Sequence, residues 1–203
     1  MVGVLLNYLG ARFCKPLMIV SLILSSIVSS SAANYIIDPA NTNVRFAIDN
    51  FKTSSTTGGF YNVKGQLQYN PIAKTGNISL VIPINSLDTG NKSFNLKLTS
   101  PNFFDVGRFP SARFESTKWH FDNKVNSKVT RVDGNLTLHG ETHPVTLKAT
   151  TFNCSSNTTD EKEICNGGFT TTIDRTKWNI NKYTLFGISK NLTINIQVAA
   201  TKQ

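Results

Sequence analysis

Apolar and polar residues alternate with a period of two along most of this chain. Ile78, Leu80, Ile82 and Ile84 share one face, with Ser79, Val81, Pro83 and Asn85 opposite. Leu192, Ile194, Ile196, Val198 and Ala200 alternate in the same way with Thr193, Asn195, Gln197 and Ala199. Val44, Phe46 and Ile48 repeat the pattern near the start. Period two marks strands with one buried and one solvated face. Further strands are predicted near 60–69, 112–121, 128–138, 145–152 and 168–174. Turn chemistry falls at Gly58-Gly59, Asn70-Pro71, Asp133-Gly134, His139-Gly140 and Asn166-Gly167-Gly168. Pro83 is expected at a strand end, an edge or a bulge. No long segment carries the helical period. The expected class is all-β, an eight-stranded antiparallel barrel, because closure removes exposed strand edges.

The stretch from Ser86 to Phe114 breaks the alternation. It is long for a connection inside a compact domain, and such connections are usually functional or disordered. Disorder does not suit this one, because Phe94, Leu96, Leu98, Phe103, Phe104, Phe109 and Phe114 need burial. One or two short helices are expected in the 88–105 connection. The best candidate is Ser93 to Leu98, where Phe94, Leu98 and Phe103 can share a face. A greasy excursion between strands suggests a lid or cavity wall. A small barrel of this size is either filled by its own side chains or holds one ligand.

The N-terminus reads as an export signal, residues 1–33, ahead of a single domain, residues 34–203. Arg12 and Lys15 flank an apolar run from Leu17 to Val28 that is short for a membrane span. Ser31-Ala32-Ala33 supplies small residues for cleavage, most simply after Ala33; an uncleaved anchor is the alternative. The expected location is periplasmic. Removing the two flanking basic residues leaves a net charge of +7. That charge suits either a soluble surface or transient contact with an anionic membrane. Lysines and arginines are scattered rather than striped, so no nucleic-acid partner is expected. The oligomeric state is left as monomer or homodimer. Cys154 and Cys165 bracket a polar loop, and in an exported chain they are expected to form a disulfide that staples a hairpin.

Catalytic signatures are missing from the sequence. There is no nucleophile elbow, no phosphate-binding loop and no dinucleotide glycine fingerprint. His139 and His143 are four apart with Glu141 between, which on a helix would resemble a zinc pair, but Gly140 and Pro144 argue for a turn. No metal, cofactor or enzymatic activity is expected. Arg175, beside Asp174 and Trp178, either holds an anionic head group or pairs within the barrel. Lys97 is a second head-group candidate, or else a solvated lysine on a short helix.

Several ordered motifs carry a resemblance. The chain reads DPANTNVRF from Asp38 to Phe46, SLDTGN from Ser86 to Asn91, and LTSPNFFDVGRFPSARFEST from Leu98 to Thr117. GNLTLHGETHPVTL follows from Gly134 to Leu147, then IDRTKWNI from Ile173 to Ile180, then a last strand introduced by Gly187. In their order and spacing these resemble the YceI family of exported, lipocalin-like proteins, across nearly all of the mature region. The resemblance implies a barrel holding a long apolar ligand: an isoprenoid quinone, a polyprenyl compound or a fatty-acid-like amphiphile. It brings no catalytic residues. Family members often carry histidines where this chain has Asn41, Asn50 and Lys97, and an acidic residue where it has Asn95. Head-group contacts there would therefore differ.

The alternation and the resemblance together nominate an apolar cavity of Phe46, Ile48, Phe60, Leu80, Ile82, Leu98, Phe103, Phe104, Phe114, Trp178 and Phe186. Asn95, Lys97 and Arg175 are the expected head-group contacts. The competing expectation is a self-filled barrel with a structural or surface-interaction role.

Overall fold

The computed structural model describes residues 31–50, 53–123, 128–156 and 162–203. The expected signal features at Arg12, Lys15 and Leu17 to Val28 lie outside the described residues. Among the described residues, the chain forms β1 (Ala33–Ile37), β2 (Asn43–Asn50), β3 (Ser54–Phe60), β4 (Lys64–Asn70) and β5 (Thr75–Pro83). One α-helix, α1 (Lys92–Thr99), follows. Then come β6 (Ser111–Phe121), β7 (Val129–Leu138), β8 (Glu141–Ser156), β9 (Glu163–Asp174) and β10 (Ile188–Lys202).

All pairings are antiparallel. Neighbours run β1-β4-β5-β6-β7-β8-β9-β10, and β10 returns to β1 with Tyr35 opposite Lys202 and Ile37 opposite Ala200. Eight strands therefore close a barrel, as the alternation predicts. The remaining two, β2 and β3, extend it at one end. β2 continues along the same edge of β10 that β1 uses, with Val44 opposite Ile196 and Ile48 opposite Leu192. β3 then pairs with β2.

The two breaks have local causes. Between β1 and β2, Asp38 accepts hydrogen bonds from the Ala40 N–H and the Asn41 amide, forming a tight turn. The Thr42 hydroxyl accepts from the Ala199 N–H and donates to the Ala199 carbonyl, so β10 keeps its backbone partners across the gap. Between β3 and β4, Asn62 adopts a left-handed conformation at φ 55°. The Tyr61 N–H is taken by the Ser86 hydroxyl at 2.9 Å. β3 therefore has no pairing with β5, and its outer edge bonds to Asp88 through Gly59.

Two predicted turns form as expected. Asn70 Oδ1 accepts from the Ile72 and Ala73 N–H groups, and His139 and Gly140 both take positive φ, 49° and 81°. Three do not. Gly58-Gly59 lie within β3, Asp133-Gly134 within β7 and Asn166-Gly167-Gly168 within β9. Close approach explains them. A Cβ at Gly134 would sit 2.5 Å from the Glu115 carbonyl oxygen and from the Phe114 ring. Pro83 is the last residue of β5, and its pairing ends there against Ser111.

The barrel end farther from α1 is filled by rings. Tyr69, Trp119, Phe121 and Phe152 pack with centroids 5.0 to 6.5 Å apart. Nearby, Cys154 and Cys165 face each other across β8 and β9 and form the expected disulfide, with Cα atoms 3.9 Å apart. In the chain-entropy picture, closing so short a loop contributes roughly 3 kcal/mol. The Cys154→Ala/Cys165→Ala double variant is expected to melt about 6–10 °C lower than the wild type. An unchanged melting temperature would show that the staple stabilises nothing.

Candidate ligand cavity

The divergence of β3 from β5 leaves an opening at one end of the barrel, and α1 packs across it. The Asn91 side chain caps the helix by accepting from the Phe94 N–H at 3.0 Å. Asn95 Oδ1 accepts from the Thr89 N–H and hydroxyl, and its amide donates to Asp88. These bonds fold residues 88–90 back against the helix. Beyond α1, Asp105 takes φ 46°, the Phe104 N–H bonds to the Leu98 carbonyl and the Asp105 N–H to the Ser100 carbonyl. The chain therefore doubles back and brings Phe103 and Phe104 beneath Phe94 and Leu98. Phe104 meets Phe60 edge-on, with centroids 5.4 Å apart.

The opposite wall comes from the connection between β9 and β10. Asp174 accepts from the Thr176 N–H and hydroxyl, which starts a 3-10 turn over Arg175–Trp178 and holds the Asp174 carboxyl below its ordinary pKa. Arg175 is 4% exposed. Its guanidinium donates to the carbonyls of Ser189 (2.9 Å), Ile180 (2.6 Å) and Lys182 (3.1 Å). Burial lowers its pKa, opposed by the Asp174 charge. His139 and His143 do not converge on a common point. They donate instead to the Trp178 carbonyl at 3.1 Å and the Lys177 carbonyl at 2.8 Å, seating the same turn. Among the described residues, no group of three or more histidine, cysteine or acidic side chains is placed to hold a metal.

Between these walls lies a cavity of about 350 Å³. Buried Phe46, Leu98, Phe104, Leu138 and Ile180 form its floor, and Phe94, Phe103, Ile48, Ile188 and Leu192 its sides. Exposed Ser54, Lys97 and Lys182 mark the mouth. Lys97 Nζ lies 5.0 Å from the Tyr183 ring centre. The Phe46 ring can lie along the wall because its cross-strand partner is Gly58, where a Cβ would come within 2.6 Å of it.

Of the expected apolar lining, Phe46, Ile48, Leu98, Phe103 and Phe104 come together here. Phe60 is buried one layer behind, against Phe46 and Phe104. Leu80, Ile82 and Phe114 are buried core residues outside the lining. Trp178 is buried with its indole N–H donating to the Leu136 carbonyl and its ring against His143. Phe186 is 70% exposed and lies outside the lining, its ring against Tyr183. Among the expected head-group contacts, Lys97 stands at the mouth and Arg175 in the wall, engaged by three carbonyls. Asn95 is used up holding Thr89 and Asp88. Tyr183, Ile180, Lys182, Ile188, Phe94, Leu138 and Leu192 line the cavity without having been expected there. The first four sit in irregular chain or at a register shift in β10, where no period identifies a face; the last three lie in regular elements, whose period does not tell how near the open end a residue stands.

The comparisons with known proteins agree with this architecture. The YceI-like domain model matches residues 35–200. The chain belongs to the YceI-like family. A UPF0312 protein of Vibrio cholerae is 31% identical over 141 residues, covering 66% of this chain and 72% of that protein. Among solved structures, Burkholderia cenocepacia BcnA superposes with a TM-score of 0.63 at 22% identity, covering 80% of this chain and 98% of the other. A polyisoprenoid binding domain from Saccharophagus degradans gives 0.61 at 14% identity, covering 83% and 98%. At these identities the two structures speak for the fold. Within this YceI-like barrel, Asn50 and Lys97 border the cavity, whereas Asn41 lies in the β1–β2 turn and Asn95 is turned to Asp88.

Arg175 ties the mouth-side connection to the barrel. Arg175→Met strips three carbonyls of a charged donor and is expected to cost about 3–5 kcal/mol in urea unfolding. A loss below about 1 kcal/mol would mean that the connection is held by other contacts.

Proposed function

We propose that this YceI-like protein binds an apolar lipid of the isoprenoid class in the cavity beneath α1 and carries it outside the cytoplasm. The observation that carries the reading is the cavity itself. It is lined mainly by aromatic and aliphatic side chains, with Ser54, Lys97 and Lys182 at the mouth and the buried Arg175 in the wall, its guanidinium already engaged by three carbonyls. That is the arrangement expected of a site for an apolar tail with a polar head. The relationship in fold to a polyisoprenoid binding domain supports the same ligand class. The cross-strand disulfide supports folding in an oxidising compartment such as the periplasm. The roles found for the histidines and for Arg175, as donors to backbone carbonyls, suit a binding protein rather than an enzyme.

Volume sets the scale of the interaction. A methylene is close in size to a water, whose share of liquid is about 30 Å³, so about 350 Å³ holds on the order of a dozen such groups. At about 0.8 kcal/mol each, their burial contributes about 9–10 kcal/mol before the cost of association. A longer tail must extend through the mouth or displace core side chains. The self-filled reading keeps one observation in its favour, the ring cluster at the far end. That cluster limits how deep a tail reaches.

Titration of the purified protein with an isoprenoid quinone or a prenol is expected to saturate at one ligand per chain. Ile48→Trp, on the cavity side, fills the volume and is expected to weaken uptake by about tenfold or more, with the melting temperature nearly unchanged. No uptake of either ligand by the wild type would overturn the carrier reading. Undiminished uptake by a folded Ile48→Trp variant would place the ligand elsewhere.

A further inference from the structure

We propose that the rim around the cavity mouth is a docking surface for an anionic lipid bilayer. The proposal goes beyond ligand carriage and does not depend on it. Among the described residues, the most exposed large apolar side chains are Leu185 at 94%, Ile72 at 82%, Leu96 at 74% and Phe186 at 70%, and Ile72 stands apart in the β4–β5 turn. Large apolar side chains left in water on a folded surface are unfavourable unless something covers them, and grouped ones mark interaction sites. Leu185, Leu96 and Phe186 are grouped. Leu96 lies on α1, half a turn round from Phe94 and Leu98, so it faces outward where they face the cavity. Leu185 and Phe186 form the tip of the β9–β10 connection. Tyr183 joins the two elements, since its ring meets both the Lys97 amine at 5.0 Å and the Phe186 ring at 6.4 Å.

The tip is held in place. Arg175 grips the carbonyls of Ile180 and Lys182 on one side and of Ser189 on the other. Inside the turn, the Phe186 and Ile188 N–H groups bond to the Tyr183 carbonyl, and Gly187 takes φ 86° to bring the chain back. A turn so braced presents Leu185 and Phe186 to the outside.

Charge selects the occupant. Lys97 and Lys182 flank the tip, and among the described residues neither has a carboxylate within ion-pair distance; both amines lie over the Tyr183 ring. The nearby carboxylates are engaged elsewhere: Asp174 by Thr176 and Lys190, Asp88 by the Gly90 N–H and Asn95, and Asp49 by the Ser55 hydroxyl. Apolar tips among unpaired cations match the interface of a bilayer with anionic head groups, where side chains enter shallowly and lysines meet phosphates. Docked this way, the mouth defined by Ser54, Lys97 and Lys182 abuts the lipid. An apolar molecule would then pass between bilayer and cavity without crossing water.

The test is co-sedimentation of the mature chain with vesicles of phosphatidylglycerol and phosphatidylethanolamine, set against phosphatidylcholine alone. Sedimentation with the anionic vesicles is expected, weakening in about 0.5 M salt. Leu185→Ser/Phe186→Ser is expected to cut partitioning by about tenfold or more while leaving melting temperature and prenol uptake unchanged, because both residues lie outside the cavity. Failure of the wild type to sediment with anionic vesicles, or equal sedimentation by the double variant, would overturn the proposal; the former result would leave an acidic protein as the occupant. A chain that sediments through Leu185 and Phe186 but takes up no prenol supports docking and counts against the carrier reading alone.

Discussion

β4 pairs with β5 only from Lys64 onward while β3, just before it, does not, and the mouth end of the molecule follows from where the unpaired backbone groups go. A closed sheet satisfies its N–H and C=O groups all the way round, so a gap in the pairing is costly unless other partners take over. Here they do. Asp88 bonds both ways with Gly59, and Ser86 takes the Tyr61 N–H. Both substitutes come from the connection between β5 and β6. The segment that covers the opening is thus the segment that makes the opening affordable. This is why a long aromatic excursion belongs at that point in the chain.

The other wall depends on one buried cation. Arg175 sits where the barrel ends and the chain must leave and return without regular pairing. Its planar guanidinium presents donors in several directions, and three carbonyls from the two ends of the connection, Ile180 and Lys182 at one and Ser189 at the other, use them. A lysine offers no such fork. His139 and His143 add two more donors to the same turn. Residues that look in the sequence like candidates for chemistry are therefore occupied in fixing the shape of a hydrophobic space. What remains free at the mouth is cationic and apolar together.

Much of the fold was legible from alternation. The Ile78 to Ile82 and Leu192 to Ala200 patterns placed strands and their buried faces correctly, with Ile84 buried one residue past the end of β5, and the Phe94 and Leu98 spacing placed the helix, with Phe103 beyond its end. Glycine was read less well. Gly58, Gly134 and Gly167 looked like turn residues but mark places where a ring or a neighbouring carbonyl comes too close for a side chain. Turn demand and close approach select the same residue, and one sequence does not separate them. The cavity lining was legible only in part, for a geometric reason. Period two tells which face of the sheet a residue occupies, but not how far along the barrel it lies. Leu80, Ile82 and Phe114 are buried as expected, yet pack outside the open volume. Ile180 and Tyr183 lie in irregular chain, where no period exists to read.

The central claim is that the space beneath α1 exists to hold an apolar lipid. The most direct measurement is mass spectrometry of an organic extract from protein purified without detergent from its native host. A single class of isoprenoid lipid, near one per chain and reduced when Ile48 is replaced by tryptophan, is the result predicted. An empty extract from correctly folded protein, or a mixture of lipids indifferent to that substitution, would contradict it.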